Sequence, residues 1–177
     1  MKLLNRKQYI HALMVILTSI ISLAATAQAD TAPKPLYLVT RQVPSFKLLL
    51  LDSATYYLKS DLKQKKATCI IYFNPDCEHC ITELTHLSDS ASYTPNIQYI
   101  LASYAPLYLI KKLDSTLQLS AKRNIVVGRD ERYTIPSFYK VRFTPFVALY
   151  AKLGGLLQVY QGGTSIANLK RVLKKYN

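Results

Sequence analysis

The sequence predicts an α/β fold, a mixed sheet with helices on both faces, and three observations predict it. The apolar, β-branched run Thr68–Phe73 reads as a buried strand. It passes through the turn Asn74-Pro75-Asp76 into residues with helix spacing, Ile81, Leu84 and Leu87. Asn96–Ala102 reads as a second strand, and the helix between the two makes that pair a parallel, right-handed unit. Phe146–Tyr150 and Leu156–Gln161, joined by a turn at Lys152–Gly155, form an antiparallel hairpin.

At the N-terminus, Lys2, Arg6 and Lys7 precede the apolar run Ala12–Ala25 and the small-residue site Ala27-Gln28-Ala29, the pattern of a cleaved signal peptide over residues 1–29. A run this short falls below the ~20 residues of a membrane span. No Cys follows the cleavage site, so no lipid anchor is expected there, and the chain is read as exported, to the periplasm. Removing the first 29 of 177 residues leaves 148, enough for one domain with a sizeable core. Residues 30–42, rich in proline, read as an extended lead-in, and 43–177 as the folded domain.

Within that domain Phe46–Leu51 and Thr55–Leu58 are strand candidates around a turn at Asp52-Ser53, and Ser60-Asp61-Leu62 a brief helical turn. The Cys helix is expected to end near Ser90–Ser92. Pro106 starts a helix marked by Leu107, Ile110, Leu113 and Leu117. Asn124–Val127 is a short strand closed by Gly128, and Pro136–Tyr139 a single helical turn. Thr164 or Ser165 caps a last helix reaching about Lys175, whose lysines suit the negative end of the helix dipole.

Net charge is +13, and +10 once the signal basics go. Such a balance attracts anionic membrane surfaces, acidic partners or nucleic acid. The basic runs Lys63–Lys66, Lys111–Lys112 and Lys170–Lys174 carry no interleaved aromatic motif, so they read as a solubilising surface. No nucleic-acid site is expected, while proximity to a membrane surface stays open.

Cys77 and Cys80 lie where strand and turn meet the helix. The first turn of a helix presents unpaired N–H groups and a positive dipole end, which favour a thiolate at Cys77. Cys80, three residues on, shares its face. Zinc wants about four ligands, usually from two separated pairs, and no second Cys-x-x-Cys exists. Haem attachment needs His after the second Cys, where Ile81 stands. A disulfide closing so short a loop contributes little stability. The pair therefore points to redox chemistry, with no metal and no cofactor. Between the cysteines, an anionic Glu78 disfavours the thiolate and His79 favours it. Cys69, in the central strand, reads as inert packing, and His86 as a surface residue.

With Cys77-Glu78-His79-Cys80 at a helix start and a hairpin strand after Thr144-Pro145, the chain resembles the thioredoxin superfamily. Within it the nearest likeness is to exported TlpA/ResA-like thiol–disulfide proteins, especially those of Bacteroidetes with the YFNPDCEHC run found at Tyr72–Cys80. The resemblance extends from Val43 to the end and implies the three-layer thioredoxin-like fold. It implies Cys77 as exposed nucleophile, Cys80 as the resolving thiol, and Thr144-Pro145 as a cis-proline loop that faces the dithiol and pairs with substrate backbone. A glutamate three residues after the second Cys often accompanies these in the family, and Glu83 stands there. On the helix it lies about 60° from Cys80 and flanks the apolar face. Two readings stay open for it, a half-buried proton acceptor or a solvated helix glutamate. Absence of a Trp before the dithiol, the missing helix-kinking proline and His79 in place of proline argue against a broad reductant.

The expected function is dithiol–disulfide exchange with exported protein substrates by a monomer, which a redox partner regenerates. A peroxiredoxin-like peroxidase is one alternative, although its Pro-x-x-x-Thr/Ser-x-x-Cys pattern meets Ile70 and Asn74 here. A copper carrier using Cys77, His79 and Cys80 is another, although carriers of this fold usually space their cysteines by three residues.

Overall fold

From Pro35 onward the chain runs α1 (Leu36–Thr40), β1 (Lys47–Leu50), β2 (Tyr56–Leu58), β3 (Ala67–Tyr72), α2 (Glu78–Ser90), β4 (Ile97–Ser103), α3 (Leu107–Leu117), β5 (Ile125–Arg129), α4 (Thr134–Tyr139), β6 (Phe146–Tyr150), β7 (Leu156–Gln161) and α5 (Ile166–Lys175). Single 3-10 turns lie at Lys59–Asp61 and Ala91–Tyr93. The computed structural model describes residues 34–176, together with Asn5, Arg6, Ile10, His11 and Met14. Contacts divide the chain into Met1–Lys34 and Pro35–Asn177. The apolar run and cleavage site of the expected signal peptide fall largely outside the described residues.

The seven strands form one sheet in the order β2-β1-β5-β4-β3-β6-β7. β3, β4 and β5 are parallel neighbours, while β6 and β7 on one side, and β1 and β2 on the other, add antiparallel edges. All of β3 and all of β4 are buried, the signature of strands covered on both faces. One face packs Cys69, Ile71, Tyr99 and Leu101 against Leu84 and Leu87 of α2, Ile110 of α3 and Leu169 of α5. The other packs Ile70, Tyr72, Ile100 and Tyr150 against Ile135 and Tyr139 of α4. Each such aliphatic side chain contributes roughly 1.5–3 kcal/mol, which makes this double-faced core the main source of stability.

Two expectations are corrected. The lead-in is not extended throughout, since Leu36–Thr40 forms a short helix ended by Arg41 in the left-handed region. Tertiary contacts hold it: the Tyr37 ring packs 5.6 Å from that of Tyr139, and the Arg41 backbone carbonyl accepts from Leu156 N–H at 2.8 Å. Gly128 does not close its strand either, because β5 continues through it to Arg129. A Cβ there would lie 2.8 Å from Leu48 Cβ and 3.1 Å from the Leu49 carbonyl oxygen, so the glycine lets β1 approach β5. Replacing Gly128 by Ala should therefore lower stability by about 1–3 kcal/mol, read as an earlier urea midpoint. An unchanged midpoint would mean that β1 has room to give.

Candidate active site

The C-terminal ends of β3, β4 and β5 carry the site. After β3, Phe73 N–H continues the ladder to the Ala102 carbonyl at 3.0 Å. Asn74 then forms a turn: its Oδ1 accepts Asp76 N–H at 3.1 Å and its carbonyl accepts Cys77 N–H at 3.1 Å. Cys77 becomes the N-cap of α2, with extended backbone, and its Sγ accepts Cys80 N–H at 3.4 Å. A cysteine thus does the work usually given to Ser or Asp at a helix start, and the same N–H groups stabilise negative charge on its sulfur.

The two thiols differ sharply. Cys77 is half-buried, whereas Cys80 is fully buried. Burial pushes the Cys77 thiol up. Hydrogen bonds from the Cys80 thiol and N–H, from the Thr144 side chain and from His79 N–H outweigh it, so its pKa falls below the ordinary value. Burial pushes Cys80 up to about 12, and its neighbour Cys77 adds to the rise. Cys69 is sealed in the core and held far above the ordinary range by burial, with the Glu83 charge adding to it.

The Thr144–Pro145 peptide is cis, and the Cys77 thiol donates to the Thr144 carbonyl at 3.8 Å. Cross-strand register brings this loop here, since Phe146 lies opposite Tyr72. Glu83 is half-buried, and its Oε2 accepts Thr164 N–H at 3.0 Å. Burial raises its carboxyl to about 7, against the lowering effect of that hydrogen bond. A cleft of about 600 Å³, lined by His79, Glu83, His86 and Thr164 among others, opens Glu83 to solvent. Glu78 and His79 are exposed. Among the described residues no three His, Cys, Asp or Glu side chains are placed to share a metal ion.

No family profile and no curated protein matches this sequence. Solved structures do match in shape. A secreted disulfide oxidoreductase of Mycobacterium tuberculosis, homologous to E. coli DsbE, is 20% identical with a TM-score of 0.60, covering 72% of this chain and 93% of its own. A thiol:disulfide interchange protein of the thioredoxin family from Chlorobium tepidum is 19% identical with a TM-score of 0.62, covering 83% and 98%. The reduced 2-Cys peroxiredoxin of Plasmodium vivax is 17% identical with a TM-score of 0.59, covering 76% and 93%. The fold is thioredoxin-like. At such identities the likeness is one of architecture.

Within that thioredoxin-like frame, two features escape the sequence reading. Gly163 has φ +91°, and a Cβ on it would sit 1.9 Å from Glu83 Oε2 and 2.9 Å from Pro145 Cγ. Its bare Cα is the surface on which the carboxylate and the proline ring both rest. The Gly162-Gly163 pair after β7 is the visible signal. The second feature is a tyrosine trio at the same sheet edge: Tyr133 lies edge-on to Tyr72 at 6.3 Å and to Tyr104 at 5.4 Å. Buried Asp130 sets it by accepting the Thr134 and Ile135 N–H groups at 3.0 and 2.8 Å, so that Tyr133 takes a left-handed conformation. Fourteen tyrosines in 177 residues were the hint.

Gly163→Ala should expel the Glu83 carboxylate, and carboxyl NMR should then find Glu83 titrating in the ordinary carboxylate range. A pKa held at about 7 in that variant would refute the packing argument. Stability should also depend on pH through this group. Between its ordinary value of 4.5 and about 7 the folded chain keeps a proton that the unfolded chain has released, so stability falls as pH rises across that window and is flat above it. Glu83→Gln should remove that slope in urea titrations. An identical slope in both proteins would assign it elsewhere.

Proposed function

We propose that this chain is an exported thiol–disulfide oxidoreductase of the TlpA/ResA kind, acting as a monomer on protein substrates and regenerated by a separate redox partner. The observation that supports it best is the inequality of the two sulfurs. Cys77 is reachable and favours the thiolate, whereas Cys80 is buried and holds its proton, beside a cis Thr144–Pro145 loop. An exchange site needs that division between an attacking thiol and a delayed one.

In the reducing direction the Cys77 thiolate attacks one sulfur of a substrate disulfide. The Cys77–substrate bond forms, the substrate S–S bond breaks, and the released substrate thiolate takes a proton from solvent. Cys80 then gives its proton to ionised Glu83 and attacks the Cys77 sulfur. The Cys77–Cys80 bond forms, the mixed disulfide breaks, and the second substrate thiolate leaves and is protonated. Two electrons pass from the dithiol to the substrate, and the reverse sequence oxidises a substrate dithiol. Glu83 reaches solvent through the cleft beside His79 and His86, the route by which its proton leaves. Thr144 lies next to the point of attack, in position for its backbone to pair with the substrate's.

Cys77→Ser should abolish insulin reduction, and Cys80→Ser should accumulate a mixed disulfide on non-reducing gels. Full activity in both variants would end this reading, and rapid peroxide consumption with insulin untouched would move the chain to the peroxidases. Glu83→Gln should slow release of substrate from the mixed disulfide by about 100-fold and abolish the rise of that rate with pH through 7. A rate and pH profile unchanged in Glu83→Gln would remove the carboxylate from the mechanism.

A further inference from the structure

The opposite pole of the sheet, where β3, β4 and β5 begin, is built from cations. A cleft of about 520 Å³ there is lined by Arg41, Lys59, Lys63, Lys66 and Lys152, with no Asp or Glu among its lining residues. Across the sheet edge a second cleft, of about 780 Å³, carries Lys170, Arg171 and Lys174 beside Tyr93, again without a carboxylate. Of the acidic groups in the flanking elements, Asp61 is turned to the Leu58 N–H at 2.7 Å, and Asp89 on α2 lies outside both clefts.

The basic elements are held in place. Buried Gln98 accepts Lys63 N–H at 2.9 Å and donates Nε2 to the Lys63 carbonyl at 3.0 Å and to Thr68 Oγ1 at 2.9 Å. Arg41 Nη2 donates to the Leu156 carbonyl at 2.6 Å. From this rim the β6–β7 turn projects. Leu153, next to Lys152, is 99% exposed, and nothing approaches Gly154 or Gly155 within 4 Å of where a Cβ would stand. Tyr93, at the second cleft, is 80% exposed.

We propose that this pole docks on an anionic lipid bilayer, with Leu153 entering the headgroup boundary and the dithiol turned away from the membrane. A clustered set of lysines and arginines without carboxylates complements an anionic surface, and each cation near it adds to the attraction. A lone aliphatic tip inside a basic rim is what an interfacial anchor requires, with lysine stems lying along the apolar boundary. No aromatic side chain lines the first cleft, which holds the larger set of cations, and this disfavours single-stranded nucleic acid as its occupant. The inference is independent of the dithiol's chemistry.

The test uses the full chain with phosphatidylcholine vesicles, with and without phosphatidylglycerol. Binding should be at least about tenfold tighter to the anionic vesicles at low salt. That preference should vanish in high salt and in the Lys63→Glu/Lys66→Glu/Lys152→Glu variant, whose circular dichroism and insulin reduction should match the parent. Equal binding to both vesicles, which the apolar N-terminal run alone could give, or a preference that survives the triple variant, would overturn the proposal. So would displacement of the vesicles by a short DNA duplex in excess. The chain has no Trp, so single indoles report orientation. Leu153→Trp fluorescence should shift to the blue on anionic vesicles while Phe143→Trp, on the dithiol side, should not. The reverse pattern would also overturn it.

Discussion

Six successive residue pairs join β3 to β4 in parallel, from Ala67 opposite Ile97 to Tyr72 opposite Ala102, and every one of those side chains is buried. A slip of one residue would turn each side chain toward the wrong core, so this register is strongly held. It decides where everything else lies. Because β6 pairs with the other edge of β3, Phe146 faces Tyr72, and the residue before it, Pro145, arrives beside the start of α2. Because β7 continues the antiparallel run, Gln161 faces Phe146, and the two glycines that follow reach the same place. The site is assembled by strand register from segments far apart in the chain.

The chemistry rests on a difference between neighbours. Cys77 and Cys80 are three residues apart, yet one sits at the helix mouth among N–H donors and the other inside the core. Glu83 occupies an intermediate position, buried enough to hold a proton near neutrality and open enough through its cleft to lose it. Neither Cys80 nor Glu83 would behave this way on an isolated helix in water, where each would titrate near its ordinary value.

Much of the fold was legible because its signals are local. The β-branched run before Cys77, the helix period after it and the hairpin around Lys152–Gly155 each declare themselves within a dozen residues. The cysteines were legible for the same reason. What was not legible depends on distant partners. Helix α1 follows prolines and has no periodicity of its own, since its order comes from Tyr139 and Leu156. Gly128 resembles a strand terminator in sequence and is a point of close approach to β1 in space. Two readings of Glu83 stayed open because its burial is decided by Gly163, eighty positions later, through an atom that glycine lacks.

The sealing of Cys69 in the core and the burial of Cys80 have a practical side. A maleimide or iodoacetamide meets only one accessible sulfur, and it is the one whose ionisation the helix mouth favours. The reduced chain therefore carries a single point for attaching a fluorophore or spin label, with no native cysteine replaced.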